Sequence, residues 1–184
     1  MASASRPQVR PTIFEGALLV EPSLFPDRRG LLEEAYVQSK YRGLGIGDVF
    51  VQDNVVFSVR GTLRGLHADP RMAKLVHVLR GQIFDVIVDA RRDSPTFGRW
   101  QGFDLSDRNR TQVFVPAEFL HGYFVQSDDA IVSYKQTAEY DPAREAGVIW
   151  NDPVLAIGWP VAGTPLLSPK DAANRSFADV FGER

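Results

Sequence analysis

The chain of 184 residues contains no cysteine, and it has no excess of basic residues. The first absence excludes disulfide bonds, thiolate metal sites and cysteine nucleophiles. A formal net charge of -2 and a pI near 5.9 argue against a broad nucleic-acid-binding surface, which usually carries a basic excess. An anionic ligand would therefore have to bind in a local basic pocket.

Long hydrophobic runs are also missing. The apolar runs are only as long as strands, and the first residues, MASASRPQVRPT, lack the apolar core of a secretory signal. These features predict a cytoplasmic protein without a membrane span. The length fits one domain over residues 1–184, of which residues 1–12 are expected to be flexible.

Alternation of apolar and polar residues with a period of two dominates the chain. It occurs in LVHVLRG, IFDVIVDA, TQVFVPA, YFVQSDDAIVSYK and VLAIGWP, each bounded by Gly, Pro, Asp or Ser. The pattern predicts an all-β fold, a jelly-roll barrel or sandwich of antiparallel strands. Helices are expected only over residues 33–44 and 171–184, the second opening with Ser168 as its N-cap.

One hairpin is predicted in register. If the LRGQ stretch forms its turn, Val76 pairs with Asp85 and Lys74 pairs with Ile87. Lys74 and Asp85 then lie diagonally on one face, where a long side chain bridges them. His77 falls on the opposite face, so it is the histidine least expected in a site.

The most informative segment, GTLRGLHADPRMAK, covers residues 61–74 and sets His67 between Arg64 and Lys74. Histidine titrates near neutral pH, while the two cations bind anions and stabilise developing negative charge. The cluster therefore resembles the centre of an active site. The alternative is a histidine at a strand end with solvated basic neighbours.

Further motifs identify a family. They occur in one order along the chain: FPDRRG, QDN, VDARRDSPTFGRW, LSDRN, PAEFLHGY, SYKQTAEY, NDP and SPKD. With this series the chain resembles the dTDP-4-dehydrorhamnose 3,5-epimerase family, metal-independent cupin-like enzymes that act on nucleotide-linked 4-keto-6-deoxy sugars. The resemblance runs from about Phe25 to Asp171 and implies a cupin-like jelly roll that uses no cofactor.

The resemblance implies a catalytic set. In a 4-keto sugar the hydrogens on C3 and C5 lie next to the carbonyl, so a base removes one and leaves an enolate. His67 matches the family's base, Asp171 the carboxylate that orients it, and Lys74 the lysine near the keto oxygen. Tyr134 matches the proton donor on the opposite face. Without the resemblance, Asp171 would be a helix-terminus residue and Tyr134 a packed strand tyrosine.

It also implies substrate contacts, at Phe25, Arg29, Glu34, Gln52, Asn54, Arg64, Asp85, His121 and Tyr140. Phe25 and Glu34 match nucleotide-binding positions in a segment that partly reaches across from the partner subunit, so a homodimer is expected. Asp85 matches the carboxylate beside the lysine. Its alternative is an ordinary surface acid, just as the arginines could be solvated.

The spacing of two tyrosines predicts their positions. Tyr134 and Tyr140 have the same parity, so one regular strand would place them on one face about 20 Å apart at roughly 3.3 Å per residue. One would lie deep in the site, while the other would stack on a base near the mouth.

One segment departs from the family pattern. Usual members have a longer link between the histidine and the lysine, whereas His67 and Lys74 are seven positions apart here. In the family this link lies beside the sugar. The number of inverted carbons and the nucleotide, dTDP, GDP or CDP, therefore remain open.

Two other classes of protein compete with this interpretation. A metal-dependent cupin needs clustered ligands, commonly two histidines one residue apart, and no HxH occurs among the three histidines. A non-catalytic sugar-nucleotide binding module would not need a proton donor opposite a base. Both classes are therefore disfavoured.

Overall fold

In the computed structural model, which describes residues 6–182, most of the strands lie in two antiparallel β-sheets. The strands are β1 Gln8–Pro11, β2 Leu18–Glu21, β3 Ser23–Asp27, β4 Gly30–Glu34, β5 Gln52–Val59, β6 Leu63–Ala68, β7 Lys74–Arg80, β8 Gln82–Asp89, β9 Trp100–Ser106, β10 Gln112–Val115, β11 Phe119–Val125, β12 Asp129–Gln136 and β13 Ala146–Gly147. The larger sheet has the order β1-β2-β10-β7-β12-β5, the smaller one β13-β6-β11-β8-β9, and β3-β4 form a separate pair. The predicted all-β jelly-roll architecture is confirmed.

The core lies in layers around the smaller sheet. Inward side chains of both sheets share one apolar cluster, which includes Val76, Ile87 and Val132. A second cluster lies on the other face of the smaller sheet, where Trp159 and Phe177 of the C-terminal segment cover it. Because both faces are covered, β11 is buried along its whole length.

Helix is scarce, as expected: α1 covers Gln38–Gly43, α2 Pro169–Ala172 and α3 Phe177–Phe181. The predicted cap of α2 is confirmed, because the Asp171 amide donates to Ser168 Oγ at 3.0 Å. The predicted helix over residues 33–44 is wrong at its start, where Glu33 and Glu34 belong to β4.

The strand predicted for VLAIGWP is wrong. The Asp152 carboxylate accepts hydrogen bonds from the amides of Val154 and Leu155 at 2.9 and 3.0 Å, which turns the backbone away from any ladder. The apolar side chains Leu155 and Trp159 pack instead on the outer face of the smaller sheet. The apolar residues of VLAIGWP therefore reflect the burial of a loop, not a strand.

The predicted hairpin is also wrong, because β7 and β8 belong to different sheets. Strand β7 pairs with β10 and β12, whereas β8 pairs with β9 and β11. Between them Gly81 has φ +82°, and a Cβ there would lie 2.2 Å from the carbonyl oxygen of Asp129. Glycine thus lets the chain cross from one sheet to the other at this point.

Near its start, the described part of the chain forms a strand. Gln8–Pro11 form an edge strand that pairs with β2, and Val9 packs against the apolar cluster around α1. The flexibility expected for residues 1–12 stays a prediction, and residues 1–5 lie outside the described residues. No helix within residues 6–182 is long and apolar enough to cross a membrane.

Candidate active site

A cavity of about 470 Å³ opens between the two sheets. Nine of the residues proposed from the sequence line it: Gln52, Asn54, Arg64, His67, Lys74, His121, Tyr134, Tyr140 and Asp171. Strands β6 and β11 of the smaller sheet supply one wall, and β5, β7 and β12 of the larger sheet supply the other. The sandwich thus brings together residues that are distant in sequence.

Two glycines set the close approach of β6 and β11. A Cβ on Gly65, which has φ +121°, would lie 2.6 Å from Gly122 Cα, and a Cβ on Gly122 would lie 2.7 Å from the carbonyl oxygen of Arg64. Only glycine fits such a contact. The register also shifts here, so that His67 faces His121 across the pair of strands.

His67 and Asp171 form the shortest polar contact of the cavity between a histidine and a carboxylate, with 2.6 Å between Nε2 and Oδ1. Burial would raise the pKa of Asp171, but the hydrogen bond with His67 and its charge outweigh burial and lower that pKa. The ionised carboxylate therefore accepts the Nε2 proton. Nδ1 is left as the nitrogen that faces the cavity, 3.8 Å from Glu145 Oε1.

Lys74 supplies an unpaired cation. Within residues 6–182 no side chain forms an ion pair or hydrogen bond with its ammonium group. Burial lowers the pKa of Lys74, although the carboxylates of Glu145, Asp85 and Asp69 act in the opposite direction. Such a group binds an anionic oxygen without first breaking an internal ion pair.

Asp85 does not occupy the predicted place. It is fully buried, does not line the cavity, and its Oδ2 lies 2.8 Å from His121 Nε2. The error follows from the wrong hairpin, because β8 pairs with β11 and not with β7. Asp85 therefore orients His121, and its charge reaches Lys74 only through space.

Tyr134 stands on the wall opposite His67, on β12 beside Asn54 of β5. Burial raises the pKa of Tyr134, against smaller opposing effects of Asn54 and Arg64. The phenol therefore keeps its proton at neutral pH. Next to it, Gln52 Nε2 donates to Asn54 Oδ1 at 3.1 Å.

The position predicted for Tyr140 by strand parity is wrong. Strand β12 ends at Gln136, and the Tyr140 amide donates to Gln52 Oε1 at 2.9 Å. The chain thus turns back over the end of β5. Tyr140 still lines the cavity and is 48% exposed, but no continuous strand joins it to Tyr134.

Several lining residues were missed in the sequence: Val55, Val56, Tyr123, Gln136, Glu145, Ser168 and Lys170. Lys170 forms an ion pair with Glu145 and donates to the Tyr140 hydroxyl at 3.1 Å. Lys170 belongs to the SPKD motif, and Tyr123 lies two residues after His121 and so on the same face of a strand. The sequence could therefore have pointed to both as cavity residues. Glu145 had none.

The structure does not bring Phe25, Arg29 and Glu34 to the cavity of their own chain. They lie on the β3-β4 pair, where Arg29 contacts Asp27 at 2.6 Å. His77 lies away from the cavity as expected, 2.9 Å from Glu33 on the outer face. No group of three potential ligands within residues 6–182 is arranged to hold a metal ion.

Comparisons with known proteins extend over nearly the whole chain. The model of the dTDP-4-dehydrorhamnose 3,5-epimerase family matches residues 11–179. A dTDP-4-dehydrorhamnose 3,5-epimerase from Pseudomonas aeruginosa is 47% identical over 166 residues, which are 89% of this chain and 92% of the relative.

Solved structures are similar to the same extent. The dTDP-6-deoxy-D-glucose-3,5-epimerase from Legionella pneumophila, in complex with dTDP-4-keto-L-rhamnose, has a TM-score of 0.89 at 42% identity and covers 93% of both chains. ChmJ, a 3'-monoepimerase from Streptomyces bikiniensis in complex with dTDP-quinovose, has a TM-score of 0.86 at 37% identity, over 91% of this chain and 87% of ChmJ. Similarity therefore includes enzymes that invert two centres and one that inverts a single centre.

Proposed function

This chain belongs to the dTDP-4-dehydrorhamnose 3,5-epimerase family, and from that premise we propose how its own residues invert C3, C5 or both in a nucleotide-linked 4-keto-6-deoxy sugar. The protein is an epimerase of the isomerase class and has the cupin-like fold of its relatives. One observation carries the mechanism. His67, bonded to Asp171, and Tyr134 stand on opposite walls of one cavity that also holds the unpaired Lys74.

Proton removal is the task of His67. Its Nδ1 faces the cavity, while Nε2 is held by the ionised Asp171. The carboxylate fixes the tautomer with a free lone pair on Nδ1 and stabilises the imidazolium that forms when the proton arrives. Nδ1 is therefore the atom that takes the hydrogen from the sugar carbon.

The enolate needs a positive partner. When a proton leaves C3 or C5, negative charge develops on the oxygen at C4. The ammonium group of Lys74 has no other partner within residues 6–182, so it binds this oxygen without reorganisation. No proton transfer through Lys74 is required.

Inversion needs an acid on the other face of the sugar ring. Tyr134 projects from the opposite sheet, and its raised pKa keeps the phenol protonated until the enolate accepts the proton. Solvent then restores the phenol, while His67 loses its proton to water. The two walls of the sandwich thus act on the two faces of one planar intermediate.

The remaining polar groups suit a sugar diphosphate. Arg64, Gln52 and Asn54 line the cavity, and arginine pairs well with phosphate oxygens. Tyr140, half exposed at the same cavity, offers a ring on which a base stacks. We take dTDP as the nucleotide because the structural relatives were solved with dTDP-sugars.

Deuterium exchange tests the reaction. Incubation with dTDP-4-keto-6-deoxyglucose in deuterium oxide should introduce deuterium at C3, C5 or both, measured by NMR. Label with inverted configuration at both carbons identifies the double epimerase, and at C3 alone a single-centre enzyme like ChmJ. A sugar-nucleotide binding module would bind the compound and label neither carbon, which would refute the proposed reaction.

We also propose that the protein works as a homodimer. Strand β5 is the edge of the larger sheet, and its side chains Val55, Phe57 and Val59 are 57%, 73% and 59% exposed. Neighbouring exposed apolar side chains of this kind mark association surfaces. A second copy on this face would also explain the β3-β4 pair, whose Phe25 and Arg29 would complete the partner's cavity.

The Phe57→Glu variant is expected to be monomeric, because a charge would have to be buried in the apolar contact. Light scattering after gel filtration measures the mass, and kcat/KM should fall as the dimer dissociates. Val154→Glu, in a loop and 45% exposed in the parent, is the matched control and should keep the parent's mass. A monomeric parent, or a Phe57→Glu protein as dimeric as the parent, would exclude this interface.

The predicted cytosolic location and the predicted absence of nucleic-acid partners stay predictions.

A further inference from the structure

Tyr123 is a third tyrosine of the cavity, and the proposed mechanism does not use it. It lies on β11 two residues after His121, so both side chains point to the same face of the smaller sheet. Its strand neighbours are Arg64 on β6 and Asp85 on β8. Tyr123 is 3% exposed and lines the cavity.

The hydroxyl of Tyr123 has no hydrogen-bond partner within residues 6–182. Burial raises the pKa of Tyr123, against lowering influences of the Arg64 charge and of Ser58, whose hydroxyl accepts from Arg64 Nε at 3.1 Å and makes no well-formed bond with the phenol. Burial dominates and raises the pKa of Tyr123 to about 12. The phenol therefore stays protonated at neutral pH, and within residues 6–182 its proton has no acceptor.

An unpaired buried hydroxyl is destabilising, and such groups are rare in folded proteins. A phenylalanine would bury the same ring in the interior cluster without this cost. By contrast, the other strongly buried tyrosine, Tyr41, donates to the Ala35 carbonyl at 2.7 Å and contacts Gln112 Oε1 at 2.8 Å. The orphan hydroxyl of Tyr123 points to a ligand oxygen as its acceptor.

We propose that Tyr123 is a specificity-determining residue that donates a hydrogen bond to the C2 hydroxyl of the sugar. This inference rests on the proposed function. The C4 oxygen is assigned to Lys74, and the C3 hydroxyl swings to the other side of the ring when C3 is inverted. The C2 hydroxyl keeps its orientation throughout, so a donor fixed in a rigid strand suits it. The smaller sheet, which carries the base His67, thus also binds the C2 hydroxyl of the sugar.

The test compares Tyr123→Phe with the parent on two substrates, dTDP-4-keto-6-deoxyglucose and its 2-deoxy analogue. Deuterium entry at the carbon that the parent exchanges, C3 or C5, gives kcat/KM on both. On the first substrate we expect a loss of about 10-fold to 100-fold, mainly in KM, because a hydrogen bond present in ground and transition states is removed. On the 2-deoxy analogue the two proteins should be nearly equal, since the acceptor is already absent.

Stability gives an independent measurement. Tyr123→Phe should be as resistant to urea as the parent or more so, because an unpaired buried group is removed. Tyr41→Phe, the matched control, should be less stable yet keep the parent's kcat/KM, since its hydroxyl is bonded within the fold. Equal losses by Tyr123→Phe on both substrates, or no loss on either, would overturn the role of the hydroxyl. If instead the parent labels neither substrate, the proposed function itself is wrong.

Discussion

Replacing His67 by Asn is expected to reduce deuterium entry and product formation together by about 100-fold to 10,000-fold, the usual contribution of a general base. Asparagine is polar and no larger than histidine, but its shorter side chain does not reach the position of His67 Nε2, which lies 2.6 Å from Asp171 Oδ1. It has no nitrogen that accepts a proton at neutral pH. The loss should therefore appear in kcat for every exchangeable carbon, while the variant still unfolds in one cooperative transition.

His77→Asn is the matched control for this prediction. His77 is also buried and also faces a carboxylate, Glu33 at 2.9 Å, but it lies on the outer face of β7. Its replacement should lower the urea midpoint and leave deuterium entry near the parent's rate. Near-normal deuterium entry by His67→Asn, in the same assay, would show that another group removes the proton.

Local sequence patterns correctly predicted the strands and the helix cap that depend only on neighbouring residues. Strands such as β11 follow from apolar runs with turn residues at each end, and the Ser168 cap follows from a hydroxyl next to proline. The family resemblance added the pairing of His67 with Asp171, which are 104 residues apart. Periodicity by itself contains no information about contacts over such a separation.

The errors have a common physical origin in long-range packing. Strands β7 and β8 read as a hairpin because only one residue, Gly81, separates them, yet each pairs with other strands in a different sheet. Because of this crossing, Asp85 contacts His121 and not Lys74, the partner that the hairpin predicts. Glu145 enters the cavity because it precedes β13, which pairs with β6 beside His67. A loop position set by such a pairing leaves no local pattern.

The acid and the base act from different sheets, so the two halves of the reaction should be separable in the Tyr134→Phe variant. Inversion requires a proton from the wall opposite His67, and we expect it to fall by about 100-fold to 10,000-fold. Enolate formation needs only His67 and Lys74. Deuterium should therefore still enter with the original configuration, because His67 exchanges its proton with solvent and returns deuterium to its own face.

A packing role for Tyr134 would give a different result, and Val132→Ala separates the two explanations. Val132 is fully buried on the same strand and in the same interior cluster, so its truncation loosens the surroundings of Tyr134 without touching the phenol. That variant should depress exchange and inversion by the same factor. NMR of the recovered sugar gives both quantities in one sample. If Tyr134→Phe also lowers both equally, with an unfolding transition like the parent's, the incoming proton comes from water or another residue, and the opposing tyrosine only shapes the cavity.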